Sequence, residues 1–317
     1  MRRFLLTRHV VLFSLITVWL CGCAASTKTA VTPAAAPLPQ RTADKSELIA
    51  QFNKLADSIH SLNIAVTIRL TAGSTYTGTI EQYHEINGFI LAEKPSKIRV
   101  IGQVPVVGKN IFDMESDGET FHIFIPSKNQ FLVGPASLER PSGKPIENLR
   151  PQHLIDAIFW RAIPQGVPVL LEQIAVPPAS FYVLTVVRVA APGANGATNW
   201  EIDRKIWFDR ANFDLARIDT YDATGNTIST IRFSNWDMFG AVRYPKQILL
   251  DRPLNDYQLQ LMVLKLTVNG TIAPDRFVLA QPPGTELVRV GDETNAGKPA
   301  GNQPGDQPED KTGDDKP

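Results

Sequence analysis

The side chains able to do chemistry in this chain of 317 residues are few and scattered. His60, His84, His122 and His153 stand alone. There is no H-E-x-x-H, which would set two imidazoles on one helix face for zinc, and neither a G-x-S-x-G elbow nor a phosphate-cradling Walker loop. Asp203, Asp209, Asp214 and Asp219 recur near expected strand ends, where they suit turns or solvent-facing positions, and their spacing is not that of a calcium loop. Lys plus Arg and Asp plus Glu balance at 32 each. The cations are dispersed, so no basic stripe points to nucleic acid. A histidine and a carboxylate from different strands could still meet in space, which leaves a hydrolytic or metal site open. The residues themselves predict no enzyme, no metal and no cofactor.

The one stretch that predicts covalent chemistry is Leu20-Cys21-Gly22-Cys23. Arg2, Arg3 and Arg8 precede an apolar run from Val10 to Leu20, the charged and hydrophobic regions of a secretory signal. That run falls short of the ~20 residues a bilayer span needs. An aliphatic residue, a small residue, Gly and Cys then follow the pattern of a bacterial lipobox, so cleavage after Gly22 and lipidation of Cys23 are expected. Residues 1–22 leave with the signal and Cys21 with them. The mature chain then has no thiol for a disulfide, a nucleophile or a metal site. Several acyl chains, at ~0.8 kcal/mol per buried methylene, give lasting attachment. In a Gram-negative source, Ala24, in place of the Asp that resembles an inner-membrane retention signal, favours the outer membrane facing the periplasm.

Residues 23–43 are rich in Ala, Thr, Pro and Lys without apolar period and read as a flexible tether. Residues 291–317 are Gly, Pro, Asp, Asn, Gln and Lys with no aliphatic side chain larger than Ala; such an acidic tail cannot offset its chain entropy by burial. The folded domain is therefore expected over 44–290.

That domain opens with a helix. Asp44 and Glu47 have capping-box spacing, and Leu48, Ile49, Phe52, Leu55, Ala56, Ile59 and Leu62 follow one helical face. Ile64, Val66, Ile68 and Leu70 then alternate with polar or small residues as in a half-buried strand. Further strands are expected at 76–82, 88–93, 97–102, 111–117, 120–126 and 130–133, with Asn87-Gly88 and Asp117-Gly118 as hairpin turns. The segment 141–178 interrupts this meander with a helix that starts at Pro151 and runs through His153–Trp160, stopped by Pro164. Strands resume at 180–189, 200–209, 213–222, 227–236, 242–251 and 257–268, with Asn269-Gly270 among the turns. The fold class that follows is mainly β (α+β): one broad, bent antiparallel sheet forming an unclosed half-barrel, with helices on its concave side.

Four stretches taken together resemble the LolA/LolB superfamily, the periplasmic carrier and outer-membrane receptor of lipoproteins. They are the amphipathic helix leading into Ile64–Leu70, the segment Lys94-Pro95-Ser96-Lys97-Ile98-Arg99, Ser116-Asp117-Gly118-Glu119-Thr120 before Phe121–Pro126, and Phe277-Val278-Leu279-Ala280-Gln281-Pro282-Pro283-Gly284. The resemblance covers roughly 44–290, and lipidation brings the chain nearer to LolB than to soluble LolA. It implies an unclosed barrel lidded by helices, with lipid or lipoprotein as cargo. The length, the 141–178 insertion and the tail depart from both proteins.

The candidate ligand site is accordingly apolar. Ile64, Val66, Ile68, Phe89, Leu91, Phe121, Ile123, Phe233, Leu259 and Leu261 are expected to line a cavity, with Leu48, Phe52, Leu55 and Ile59 from the helix as its lid. The alternative is that the same residues meet as a dry core. Val104-Pro105-Val106-Val107-Gly108 resembles in position and character the protruding hydrophobic loop with which LolB delivers its cargo, so Val104, Val106 and Val107 are membrane-loop candidates; the alternative is a loop folded back on the sheet. Two readings follow. In one, a lipid-anchored monomer takes up acyl chains or lipoprotein lipid moieties without making or breaking a bond. In the other, an envelope sensor or interaction lipoprotein binds a protein partner on the sheet edge or through the tail.

Overall fold

Asp44 opens α1 (Lys45–Asp57) as a capping box. Its carboxylate accepts from the Glu47 N–H at 2.9 Å, and the Glu47 carboxylate accepts from the Asp44 N–H at 3.0 Å. Two of the donors that a helix start leaves bare are thereby satisfied. The structure, a computed structural model, describes residues 40–74, 79–138, 148–190 and 199–290. The signal, Cys23, most of the expected tether and the acidic tail lie outside the described residues. Residues 40–43, read above as the end of the tether, are already bonded to the sheet: the Arg41 N–H donates to the Arg210 carbonyl at 2.8 Å.

The helix ends one turn before the sequence predicts. The Ser58 N–H returns to the Lys54 carbonyl, and Leu62 is the second residue of β1 (Ser61–Ser74). A buried position after a tight turn satisfies a helical and a strand period alike, so periodicity placed Leu62 in the core but on the wrong element.

The remaining strands are β2 (Thr79–Gln82), β3 (Ile86–Glu93), β4 (Lys97–Gln103), β5 (Asn110–Ser116), β6 (Thr120–Ile125) and β7 (Gln130–Pro135), then α2 (Pro151–Ile158). After it come β8 (Val169–Val176), β9 (Ala179–Val189), β10 (Trp200–Asp209), β11 (Leu215–Tyr221), β12 (Thr227–Phe239), β13 (Val242–Arg252), β14 (Tyr257–Val268) and β15 (Glu286–Arg289). All belong to one unclosed sheet in the order β15-β7-β6-β5-β4-β3-β1-β14-β13-β12-β11-β10-β9-β8, with β2 on the end of β1. Two meanders are joined where β1 pairs with β14 from Leu62↔Val268 to Ala72↔Tyr257. Every pairing is antiparallel except that of β15 with β7, which makes the sheet mixed. Among the described residues no helix is long and apolar enough to cross a membrane.

Three expectations need correction. Asn87-Gly88 is not a turn but lies inside β3, where Val66 faces Gly88 across the strands. A Cβ on Gly88 would stand 2.5 Å from Ile68 Cδ1, so this glycine permits close packing of the inner face and has no turning role. The segment 141–178 is not only an interruption, because it contains β8. β15, four residues long, was too short to show a period. By contrast, Asp117-Gly118 does turn: Gly118 has φ +101°, and the Asp117 carboxylate accepts from the Glu119 and Thr120 N–H groups. Asn269, also left-handed, ties the end of β14 to the exit of α1, accepting from the His60 N–H at 2.7 Å and donating to the Ser58 carbonyl at 2.8 Å.

Candidate functional site

Strand alternation decides which side chains reach the concave face. On β1 these are Leu62, Ile64, Val66, Ile68 and Leu70, and on β14 Tyr257, Leu259, Leu261 and Val263, all buried. α1 lies on them with Leu48, Phe52 and Ala56 turned inward. Phe52 meets Phe208 edge to face, ring centroids 6.3 Å apart, and is 0% exposed. A side chain bordering a space large enough for water would keep accessible surface. Helix and sheet are therefore in direct contact at this point.

Of the expected lining, Ile64, Val66, Ile68, Phe233, Leu259 and Leu261 come together with Leu48, Phe52 and Ile59 in this single core, with Leu55 and Ile123 half-buried against it. Phe121 is buried on the same face, near the end of the sheet, beneath the Arg150 guanidinium. Phe89 and Leu91 do not join them. β3 turns Gly88, Ile90 and Ala92 inward against Val66, Ile64 and Leu62, which puts Phe89 on the opposite face, 46% exposed. Large residues suggested one phase of the alternation, but the small residues that let β1 and β3 pack closely impose the other.

The lower half of the face carries an aromatic nest that periodicity did not single out. Trp160, just past α2, stacks on Trp236 at 5.9 Å and touches Phe233 and Tyr244. Tyr244 Oη donates to the Ile158 carbonyl at 2.8 Å. The signal that could have found it is the clustering of Trp160, Phe233, Trp236 and Tyr244 on segments that a meander makes neighbours. Arg204, buried on β10, closes this end: its Nη2 donates to the Arg161 and Ala162 carbonyls at 2.9 and 3.2 Å and its Nη1 to Asp203 at 3.3 Å. Burial, then the Arg161 charge, lowers its pKa to about 10 against the pull of Asp203, so the guanidinium stays charged at neutral pH. Asn53 on α1 clamps the same loop, donating to the Ile163 carbonyl at 2.9 Å and accepting from its N–H at 2.7 Å.

The β4–β5 connection, Val104–Gly108, stands off the sheet. Its backbone closes on itself, with the Gly108 N–H donating to the Val104 carbonyl and the Val107 N–H to the Pro105 carbonyl, while the Val104 N–H donates to the Lys109 carbonyl. Val106 is fully exposed and Val107 75% exposed; Val104 is partly so. Val106 also has φ +69°. A β-branched residue in this left-handed region is strained by about 1–2 kcal/mol. The fold-back alternative is thus not what the described loop does.

The polar chemistry is elsewhere. On the outer face, His122 Nδ1 lies 2.8 Å from Glu115, whose pKa burial raises. Among the described residues this is where a strand histidine meets a carboxylate. Beside it Arg99 makes a two-pronged bond to Asp113 and donates to the Arg276 and Val278 carbonyls, pinning the C-terminal segment over these strands. Among the described residues His122 has no hydroxyl or thiol partner, and no group of three His, Cys, Asp or Glu is placed to hold a metal. The Arg99–Asp113 ion pair thus lies under this strap.

No protein-family model and no curated protein sequence matches this chain. Among solved structures it is similar to a LolA superfamily protein from Nitrosomonas europaea, 14% identical, covering 75% of this chain and 99% of that one with a TM-score of 0.44. It is also similar to a DUF1329 family protein from Desulfovibrio piger, 12% identical over 73% of this chain and 95% of that one, TM-score 0.47. A third is a putative outer membrane lipoprotein-sorting protein domain from Vibrio parahaemolyticus, 9% identical over 73% and 94%, TM-score 0.43.

Proposed function

We propose that this chain is a lipid-anchored protein of the cell envelope, attached through Cys23, that takes acyl chains or lipoprotein lipid moieties against the concave face of its half-barrel and passes them to a membrane. In this reading residues 1–22 are removed, the chain from Cys23 up to the sheet-bonded residues 40–43 tethers the domain to the outer membrane, and 291–317 are a solvated tail. No bond is made or broken.

The observation that carries the reading is the tip Val104–Gly108. It combines two unfavourable features, exposed aliphatic side chains and a left-handed valine, neither of which helps the fold. Contact with hydrocarbon would turn the exposure into burial. Ligand entry then requires α1 to lift, because its apolar face is closed on the sheet. What holds it besides burial is a small set of side-chain to backbone bonds: Lys94 Nζ to the Ala56 carbonyl, Asn53 to Ile163, Gln51 to the Phe213 carbonyl and Lys45 Nζ to the Val169 carbonyl.

The test measures binding of a fluorescent fatty-acyl probe and its transfer to phospholipid vesicles. Val106→Glu with Val107→Glu should leave fold and binding intact and slow transfer by roughly tenfold or more, since charges resist entry into hydrocarbon. Unchanged transfer would return the tip to an incidental loop. A wild type that binds no acyl probe would overturn the carrier reading in favour of the sensor or interaction lipoprotein.

A further inference from the structure

The sheet ends at β8, and among the described residues nothing pairs with its outer edge. Val169-Leu170-Leu171-Glu172-Gln173-Ile174-Ala175-Val176 has no Lys, Pro or bulge, the devices that usually blunt an edge. Its single charge, Glu172, is occupied on the outer face, accepting from Thr185 Oγ1 at 2.6 Å and lying 3.5 Å from Lys205 Nζ. Leu170 and Val176 are 62% and 53% exposed.

The phase of the edge follows from two bonds. The Val187 N–H donates to the Pro168 carbonyl, so the even-numbered residues of β8 turn their backbone groups toward β9. The odd-numbered residues Val169, Leu171, Gln173 and Ala175 turn theirs outward. Consistently, the Val169 carbonyl is taken from outside by Lys45 Nζ at 3.2 Å. Leu171, Gln173 and Ala175 are left as an outward ladder.

We infer that β8 is a self-association edge, on which a second copy of this chain adds its own β8 antiparallel about a twofold axis at Gln173. In this register Leu171 exchanges bonds with Ala175 of the second copy, and Gln173 with its own equivalent, which uses the three residues that Lys45 leaves open. Exposed Leu170 falls opposite exposed Val176 of the second copy, and Glu172 opposite Ile174. Shifting the axis to residue 172 would set Glu172 against Glu172. Shifting it to 171 would need Val169, already bonded to Lys45, and shifting it to 174 would need an N–H from Pro177, which has none. One register therefore satisfies the edge, and the strand is complementary to itself.

Sedimentation of the full chain in detergent tests this. The wild type should form a dimer, and Ala175→Pro should return it to a monomer whose thermal midpoint equals that of wild type diluted to monomer, because the N–H it removes points away from β9. In case that variant misfolds, Leu170→Cys with Val176→Cys reads the register directly under added oxidised glutathione. The two positions are ~20 Å apart within one chain, whereas across the proposed pair they are opposed at ~4.5 Å, within disulfide reach. A covalent dimer with a 170–176 linkage supports the proposal. A wild type that is monomeric at every concentration, a dimer indifferent to Ala175→Pro, or an edge that takes up only an extended segment of another protein would overturn it.

Discussion

Lys94 Nζ donates to the Ala56 carbonyl at 2.6 Å while its ammonium lies 5.4 Å from the centre of the Phe159 ring. One side chain from the β3–β4 turn thus caps the last turn of α1 and touches the segment after α2. Burial lowers its pKa, against the nearby Asp57, which marks the site as partly dry. Lys94→Met keeps the aliphatic stem and removes the donor. It should reduce stability by about 1–2 kcal/mol and raise amide exchange in the last turn of α1, read by a denaturation midpoint and by hydrogen exchange. If α1 is the lid, acyl-probe uptake should also quicken; exchange confined to the N-terminal turn would place the latch elsewhere.

Gly88→Ala tests the inner face. The new methyl would meet Ile68 Cδ1 at 2.5 Å and Val66 Cγ2 at 2.8 Å, both in a close-packed layer. Overpacking of this kind costs about 1–3 kcal/mol. Ile68→Val deletes the Cδ1 and should recover part of that loss in the double variant. Additive losses in the cycle would show that the two residues do not share space.

Enlarging α1 separates a closed core from an open one. Phe52→Trp must displace Phe208 or the backbone, because Phe52 has no free surface, and should lower stability by about 1–3 kcal/mol. Leu55→Trp, at a half-buried position, should change it by under ~1 kcal/mol. A Phe52→Trp variant as stable as wild type, measured by urea unfolding, would mean that α1 stands off the sheet in solution.

How much of this was legible depends on which forces write themselves into a short window. The capping box at Asp44 and Glu47 and the alternation of Ile64 to Leu70 are local, and both are found in place. The bent sheet with helices inside followed from counting strands between turns. The phase of β3 was not legible, since it is set by what Gly88 meets on β1, a contact 20 residues away in sequence. β8 was hidden because an apolar run among prolines has no period to betray it until β9 pairs with it. Val104–Gly108 could be recognised as an apolar tip; whether it stood off the sheet was a question of backbone path, which residue types do not record.

The pH dependence of stability should carry the mark of His153. Burial first, then the charges of Arg252 and Arg150, push its imidazole down to about 2. Its Nδ1 lies 2.6 Å from Tyr257 Oη, within hydrogen-bond distance. Unfolded, the same ring titrates near ~6.5. Below that value the unfolded state takes up a proton that the folded state refuses, so this group's contribution is complete above pH ~6.5 and is lost progressively down to about 2. Glu115 and Asp251, whose pKa values burial raises, act in the opposite sense, adding stability as acid protonates them in the fold. His153→Gln removes the imidazole titration and leaves those two. Between pH 7 and 5.5 the wild type should lose about 1 kcal/mol more than the variant, measured as the difference of their urea-unfolding free energies at each pH. Parallel pH profiles for the two proteins would show that His153 is hydrated and charged in the folded chain.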